Sequence, residues 1–261
     1  MANDKTPPRK RFIKWYGWVP DLPDRRDRLF RVNRGLLINP PRKVDLRPKC
    51  PPIQDQGSLG SCTAHAVAGA LDYNRTVQTM PVYGPSRLFI YYNTRRIQRT
   101  INSDSGATIR DTIKVVARQG APPETDWPYL IKKFRVRPPE KAFEDALQHQ
   151  AVVYERVRVE ERQVKATLAE GFPIAFGISL YDSFESEAVA KSGIVPYPKS
   201  DERQVGGHAM LAVGYDDDTQ TIIARNSWSD DWGLQGYCLI PYSYILDPNL
   251  ADDFWTIKLV E

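Results

Sequence analysis

The 261-residue sequence has few residues of the types that build metal sites or disulfide frameworks, with only three cysteines and three histidines. An odd number of cysteines leaves at least one thiol that cannot pair within the chain. A chain of this length with so few cysteines is not a disulfide scaffold. No HExxH segment and no paired CxxC segments occur. We therefore expect no metal and no other cofactor.

Long apolar runs and a strong net charge are also absent. The longest apolar runs, such as AMLAVGY at 209–215, are far too short to span a membrane. A net charge of +4 is too small to indicate nucleic-acid binding. The start of the chain, MANDKTPPRKRFIKWYGW, lacks the apolar segment of a secretory signal. We expect neither a membrane nor a nucleic acid as partner, and the cytoplasm as default compartment unless export follows a route that the sequence does not reveal.

Residues 1–43, the N-terminal arm, differ from the rest of the chain because prolines and arginines cluster there and no helical period survives. Their composition indicates an extended arm or a short propeptide. The segment nevertheless contains Trp15, Tyr16, Trp18 and Phe30, which a disordered tail rarely carries. We expect part of the arm to lie on the folded body.

The remaining sequence changes character near its middle. Apolar residues at helical spacing predict helices in CTAHAVAGALDYNRTVQ, PSRLFIYYNTRRIQ, ATIRDTIKVVARQG and RQVKATLAEG. After Gly171, short apolar runs separated by Gly, Asp, Asn and Pro predict strands. This order indicates an α+β fold with a mainly helical half at 44–150 and a β-rich half at 151–261. A site is expected in the cleft between the halves.

Cys62 follows the segment QGSLGS and begins a predicted helix. The unpaired N–H groups and the dipole at a helix N-terminus favour a thiolate. A base for this thiol could be His65, one turn further along the same helix, or His208, which follows two glycines and begins an apolar strand. His149 lies in a polar stretch and reads as an exposed residue. The alternative for Cys62 is a small buried core residue.

Gln56, Cys62, His208, Asn226 and Trp228 follow one another in an order that resembles the signature of papain-like cysteine proteases. QGSLGSC resembles the nucleophile segment of that family, GGHAMLAVGY its histidine strand and RNSWSDDWG its asparagine segment. DSGATIRDTIKVVARQGAPPETDWPY resembles its substrate-binding glycine segment and the helix after it. The resemblance covers residues 43–240 and implies the papain-like fold, with a helical half and a barrel-like β half.

The resemblance also implies roles for individual residues. Cys62 would be the nucleophile, and His208 the base that forms a thiolate–imidazolium pair with it. Asn226 would orient the imidazole, and Trp228 would shield the His–Asn hydrogen bond from water. Gln56 would complete the oxyanion hole together with the backbone N–H of Cys62.

Six further positions match the substrate-binding residues of the family. The first two would bind substrate backbone, the next three would line a roomy, apolar specificity pocket, and the last would line the leaving-group side. These positions are Gly106, Ala107, Ile109, Gly177, Gly207 and Trp232.

Some positions depart from the family pattern. A disulfide common in the family is replaced by Leu59 and Asp104, and Thr63 stands where an aromatic residue usually follows the nucleophile. Cys50 and Cys238 match no usual disulfide, so both are expected to be reduced. The long helical pro-domain is absent, and only the N-terminal arm stands in its place.

We interpret the chain as a cysteine-type endopeptidase that hydrolyses peptide or protein substrates through an acyl-enzyme. Residues 12–40 are hypothesised to pack across the cleft as an inhibitory propeptide, against the alternative of a structural segment far from the cleft. The alternative function is a catalytically inactive papain-like homologue that binds peptides or proteins. Acyl transfer to an amine by the same thioester chemistry is a third possibility.

Overall fold

The structure is a computed structural model that describes residues 16–260, without the side chains of Val152 and Leu259. Expectations for residues 1–15, including Trp15, lie outside this range. The helices are α1 Arg34–Ile38, α2 Cys62–Val77, α3 Arg87–Ile97, α4 Ile109–Gln119, α5 Glu140–Ala146, α6 Glu161–Ala169, α7 Glu187–Ser192 and α8 Tyr242–Ile245. The strands are β1 Lys43–Asp45, β2 Ala151–Arg156, β3 Ile174–Tyr181, β4 Gln204–Asp216, β5 Thr221–Arg225, β6 Tyr237–Pro241 and β7 Ala251–Val260.

The four helices predicted from periodicity are confirmed as α2, α3, α4 and α6. α2 is buried all round because it lies between the other helices and the sheet, and its many alanines let both pack closely. α4 ends at Gln119, and the following Gly120 has a φ of 73°, in the region that favours glycine. Ser86 is the N-cap of α3 and accepts the N–H of Phe89, so Pro85, the first residue of the segment predicted as this helix, lies just outside it.

All six strands of the main path pair antiparallel in the order β2-β7-β3-β4-β5-β6, and β1 pairs with β4. The fold class is confirmed as papain-like α+β, but the expected barrel-like form is wrong because the sheet is open. Other segments occupy its two edges. Residues 193–195 pair with Leu239 of β6, and arm residues 28–30 pair with Arg156 of β2. Strands β2 and β6 therefore do not need each other as partners.

The sequence missed β1, β2 and the short helices α1, α5, α7 and α8, and it placed the start of β4 four residues and that of β7 three residues too late. The missed strand β2, AVVYER, mixes apolar and charged residues because only parts of it are buried. β4 begins at Gln204 because Gly206 and Gly207 pair with Leu180 and Ser179 on β3. His208 is consequently held inside a paired strand rather than at its first residue.

Two hydrophobic cores lie on the two sides of the sheet. One is centred on α2, α3 and α4, and the other lies on the opposite side of the sheet against α6, α7 and α8. Strand β4 contributes Leu211 and Val213 to the first core and Met210 and Ala212 to the second. This alternation is the period of a strand that is covered on both faces. Near its N-terminal end β4 lies beside the N-terminus of α2, because the backbone N–H of Ala209 contacts the thiol of Cys62.

Candidate active site

Cys62 is the first residue of α2 and is fully buried. The N-cap position belongs to Ser61, whose side chain makes no capping hydrogen bond and lies instead 2.5 Å from the hydroxyl of Tyr129. The first-turn N–H groups of the helix are therefore left for the thiol. Among them, the backbone N–H groups of Cys62 and Thr63 favour the thiolate.

Burial dominates the acid–base behaviour of this thiol and raises the pKa of Cys62 to about 12. Backbone N–H groups of Ala209 on β4 and of Gly17 in the arm oppose this shift. The contact with Ala209 places the sulfur next to His208, the preceding residue of β4. The contact with Gly17 shows that the arm lies directly over the thiol.

His208 and Asn226 are both buried and are joined by a 2.8 Å contact between Nε2 of the imidazole and Oδ1 of the amide. The backbone N–H of Ser227 also donates to this Oδ1, at 2.8 Å, which fixes the orientation of the amide. Because Asn226 offers an acceptor, Nε2 of His208 carries a proton and Nδ1 is the atom that would exchange a proton with a thiol.

Trp228 lies beside this pair, with its ring centroid 5.0 Å from that of His208. Trp232 packs edge-on against Trp228 at 5.2 Å, and Phe184 packs against both indoles. Trp228 and Trp232 are 2% and 4% exposed, so apolar rings surround the His–Asn contact on this side. Exclusion of water strengthens a hydrogen bond of this kind.

Gln56 lies in the loop before α2 and is 1% exposed. Its Oε1 accepts the hydroxyl of Ser227 at 2.5 Å, and its Nε2 donates to the carbonyl of Leu59 at 2.9 Å. The acceptor is therefore turned toward the β half, and the amide N–H₂ toward the loop that leads to Cys62. One N–H is used by Leu59, and the amide group can donate one more.

The arm enters the cleft and forms hydrogen bonds with both walls. On the helical side, Ala107 donates to the carbonyl of Gly17 at 2.7 Å and accepts the N–H of Val19 at 3.0 Å. On the β side, the N–H of Trp18 donates to the carbonyl of Gly207 at 3.0 Å. Residues 17–19 are thus bound as an extended strand between the two halves. The expectation that part of the arm lies on the body is confirmed.

The side chain of Trp18 fills the predicted specificity pocket. A Cβ on Gly177 would lie 1.9 Å from Cε2 of the indole, and one on Gly207 would lie 2.9 Å from Cε3. Sequence reasoning missed the far end of this pocket, where Oδ2 of Asp253 accepts the indole N–H at 3.0 Å. Asp253 follows Leu250, Ala251 and Asp252 and has no motif around it, so no local signal marks it.

The other predicted substrate-binding residues lie around the same segment. Gly106 has a φ of 70°, and a Cβ there would lie 2.4 Å from the carbonyl oxygen of Gly17. Ile109, at the start of α4, is fully buried in the hydrophobic core that contains Trp18. The structure thus groups Gly106, Ala107, Gly177 and Gly207 around the arm.

The departures from the family pattern have structural substitutes. Asp104 accepts the backbone N–H of Gly60, next to Leu59, so a hydrogen bond joins the two segments that lack the disulfide. The hydroxyl of Thr63 accepts from Thr112 of α4 at 3.2 Å. Thr63 thereby takes part in packing α2 against α4.

The remaining histidines and cysteines have other surroundings. His65 is buried with Nδ1 3.0 Å from the carbonyl of Ser61, and burial lowers its pKa well below the usual value. His149 is half-buried and stacks on Tyr83 at 4.1 Å, rather than lying exposed on a helix. Cys50 and Cys238 form no disulfide.

Two findings concern the part of the chain between residues 16 and 260. No group of three His, Cys, Asp or Glu side chains there could hold a metal ion. No helix there has the length and apolar character needed to cross a membrane.

A buried thiol at a helix N-terminus, with a His–Asn pair on the facing sheet and a cleft between two halves, defines a cysteine peptidase of the papain type, which is a hydrolase. The chain belongs to the papain family of cysteine proteases, whose model matches residues 40–244. The family and its relatives make the chain a cysteine endopeptidase, and the catalytically inactive alternative is not favoured.

Several known proteins are similar over most of the chain. The crystal structure of xylellain, a cysteine protease from Xylella fastidiosa, is 39% identical, covers 97% of this chain and 99% of its own, and has a TM-score of 0.89. An uncharacterized peptidase C1-like protein of Acanthamoeba polyphaga mimivirus is 40% identical over 94% of this chain and 87% of its own. Procathepsin L of Felis catus is 29% identical over 77% of this chain and 60% of its own.

Proposed function

We propose that this cysteine endopeptidase uses Cys62 as nucleophile and Nδ1 of His208 as the base that receives the thiol proton. The thiolate attacks the substrate carbonyl, and the imidazolium then protonates the leaving amine, which leaves an acyl-enzyme for water to hydrolyse. Asn226 holds the ring in the required tautomer through the 2.8 Å contact with Nε2. Trp228 keeps water from this contact.

The developing oxyanion is stabilised by Nε2 of Gln56 and the backbone N–H of Cys62. Ser227 supports this arrangement because its hydroxyl fixes the amide of Gln56 with its N–H₂ toward the loop before α2. Donors that are already oriented cost no reorganisation when charge develops. The backbone of a substrate binds to Gly106, Ala107 and Gly207, and Trp232 lines the leaving-group side.

We further propose that the N-terminal arm restrains the enzyme by occupying this cleft. The observation that carries the proposal is the set of backbone hydrogen bonds from residues 17–19 to Ala107 and Gly207, with Gly17 over Cys62. A substrate needs the same groups. The arm also removes water from the thiol, and burial is the main cause of the high pKa of Cys62.

The direction of the arm explains how it can occupy the cleft without being cut. It passes Cys62 at Gly17 and enters the specificity pocket at Trp18, and its bridge to Ala107 is parallel. A substrate whose leaving group lies at Trp232 runs the other way, from the pocket toward Cys62. The arm therefore presents its peptide bonds to the thiol in reverse.

The test is the full chain with Trp18→Ala, compared with Leu22→Ala, an arm residue whose side chain is exposed. Removing the buried indole contacts weakens arm binding by about 1.5–3 kcal/mol, which corresponds to an increase of about 10–100-fold in the open fraction. We expect faster peptide hydrolysis and faster labelling of Cys62 by a thiol-directed epoxide in Trp18→Ala. Leu22→Ala should match the unmodified chain, and Cys62→Ala should be inactive. Equal rates in all chains with an intact thiol would contradict inhibition by the arm.

A further inference from the structure

We propose that the pocket filled by Trp18 selects substrates with tryptophan at the matching position, and that Asp253 sets this preference by accepting the indole N–H. The inference rests on the proposed function, in which Trp18 lies where a substrate side chain would lie. It replaces the roomy, apolar pocket expected from the sequence with a pocket that has one polar acceptor at its end.

The shape of the pocket fits a flat ring. Gly177 on β3 and Gly207 on β4 lie on neighbouring strands, where Gly177 pairs with Ala209 and Gly207 with Ser179. A side chain at either position would occupy the space of the indole. The two glycines leave bare backbone against which a planar aromatic group can lie. This favours aromatic side chains over branched aliphatic ones.

The chemistry at the end of the pocket separates tryptophan from phenylalanine. Asp253 is fully buried, and its Oδ2 accepts two N–H groups, the indole of Trp18 at 3.0 Å and the backbone of Asp21 at 2.7 Å. Both donors belong to the arm and leave with it. A substrate tryptophan would restore a donor to Oδ2, whereas phenylalanine would leave a buried carboxylate oxygen unpaired. Sites built to bind an N–H reject analogues that lack it.

The surrounding charges favour a neutral donor over a cationic one. Nη2 of Arg156 lies 3.3 Å from Oδ1 of Asp253, and Arg110 lies beside the same region, with its backbone N–H on Asp21. Both guanidinium groups pair with Asp27 of the arm and lose that partner when the arm leaves. A lysine or arginine side chain entering the pocket would then meet Arg110, which has lost its ion pair with Asp27, and Arg156, which keeps only its ion pairs with Asp252 and Asp253. The indole N–H supplies the hydrogen bond without this repulsion.

The first experiment measures selectivity in the full chain with Trp18→Ala, which leaves the pocket open. Blocked dipeptide coumarin amides that differ only in the residue for this pocket, namely Trp, Phe, Leu and Arg, are compared by kcat/KM. We expect the tryptophan substrate to exceed the phenylalanine one at least about tenfold. A ratio near one, or a preference for arginine or leucine, would overturn the proposal.

Variants then assign the effect to Asp253. Its φ of 58° is one that glycine adopts freely, so Asp253→Gly in the same chain removes the carboxylate without backbone strain. We expect the Trp-to-Phe ratio to fall to about one in this variant. The matched control is Asp252→Asn, a neighbouring carboxylate that is half-exposed, and it should keep the ratio. An unchanged ratio in Asp253→Gly, or an equal loss in Asp252→Asn, would refute the assignment.

A binding measurement separates this inference from the proposed catalytic function. The full chain with Cys62→Ala and Trp18→Ala is titrated by calorimetry with acetylated Trp-Gly and Phe-Gly amides. Tighter binding of the tryptophan peptide supports the pocket assignment whether or not any chain is active. A lack of hydrolysis in every chain would refute only the catalytic proposal. Equal binding overturns the pocket assignment whatever the activity. Gly177→Ala in the same chain should abolish binding of the tryptophan peptide, and unchanged binding would place the indole elsewhere.

Discussion

The carboxylate of Asp104 accepts the backbone N–H of Gly60, with Oδ1 and Oδ2 at 3.1 and 3.0 Å from the nitrogen. Gly60 lies two residues before Cys62, and Asp104 lies two residues before Gly106. The hydroxyl of Tyr91 donates to Asp104 and accepts the N–H of Gly106 at 3.1 Å. One network therefore holds the loop before the thiol against the segment that binds the arm.

Asp104→Ala should loosen this connection. A hydrogen bond to a charged group contributes about 1.5–3 kcal/mol, which for a chain of this size corresponds to a fall in melting temperature of about 3–10 °C. We expect that fall in thermal unfolding of a Cys62→Ala background, and a lower kcat in the chain with the thiol intact.

A double replacement, Leu59→Cys with Asp104→Cys, tests whether the network substitutes for the disulfide of the family. The oxidised double variant should regain the melting temperature lost in Asp104→Ala, and reduction should abolish the gain. If the oxidised and reduced forms melt alike, Asp104 does not act as a connection between these two segments.

Gln56→Ala should lower kcat by about 10²–10³ with little change in KM, because an oxyanion donor acts mainly in the transition state. Gln56→Glu, which keeps the size but not the N–H₂ group, should lose as much. Ser227→Ala keeps the donor and removes only the hydroxyl that orients it, so a smaller loss of about 2–10-fold is expected. Steady-state kinetics on the Trp18→Ala background measures all three. A harmless Gln56→Glu replacement would show that the amide does not donate to the oxyanion.

Asn226→Ala should lower kcat by about 10–100-fold, because a hydrogen bond to an imidazolium contributes about 1.5–3 kcal/mol. Loss of the acceptor at Nε2 also destabilises the protonated ring. The pH dependence of kcat should therefore shift in addition to the fall in its maximal value. Asn102→Ala, at an exposed position, is the control. A reduced kcat with an unaltered pH profile would indicate a packing role for Asn226.

Asp72 on α2 predicts a pH dependence of stability. Burial raises the pKa of Asp72 to about 6, although the backbone N–H groups of Tyr83 and Gly84 lower it. A folded-state pKa above the unfolded value of about 3.9 means that the folded chain binds more protons between these values. This contribution to stability is complete below about pH 4 and is lost as the pH rises through 6, with a total of up to about 3 kcal/mol.

Urea unfolding of a Cys62→Ala background at pH 4.5 and pH 8 measures this effect. Asp72→Asn should lose less stability than the parent between the two pH values. Asp182→Asn is the opposite case, because the side-chain hydrogen bond from Arg203 lowers the pKa of that exposed carboxyl. Replacement of Asp182 should therefore not reduce the loss of stability between pH 4.5 and pH 8. If Asp72→Asn follows the same pH dependence as its parent, the carboxyl does not titrate in this range.

Local patterns allowed much of the fold to be predicted. α2, α3 and α4 carry apolar residues at helical spacing, and the apolar runs of β3 and β5 are buried on both faces, so their composition alone indicates strands. β2 escaped detection because its burial is partial and its partner β7 is about a hundred residues away in the sequence. The openness of the sheet could not be predicted, because it depends on the segments at 28–30 and 193–195 that occupy its edges.

The catalytic roles remain predictions from the order of Gln56, Cys62, His208 and Asn226 along the chain. The structure adds contacts of these side chains, such as His208 with Asn226 and Gln56 with Ser227. That order is available to sequence reasoning because each residue is embedded in a local motif. Asp104 and Asp253 have no such motif. Their importance depends on what lies across from them, Gly60 in one case and Trp18 in the other.

The sequence by itself determined the class of the protein, since helical and strand periodicity and the order of the site residues are properties of neighbouring positions. It also predicted that an aromatic, proline-rich arm would lie on the body. Only the tertiary structure decided where that arm binds and what it occupies. Hydrogen bonds from residues 17–19 to Ala107 and Gly207, and the indole N–H on Asp253, join segments far apart in the chain. Such contacts depend on how two halves pack together, which no local pattern records.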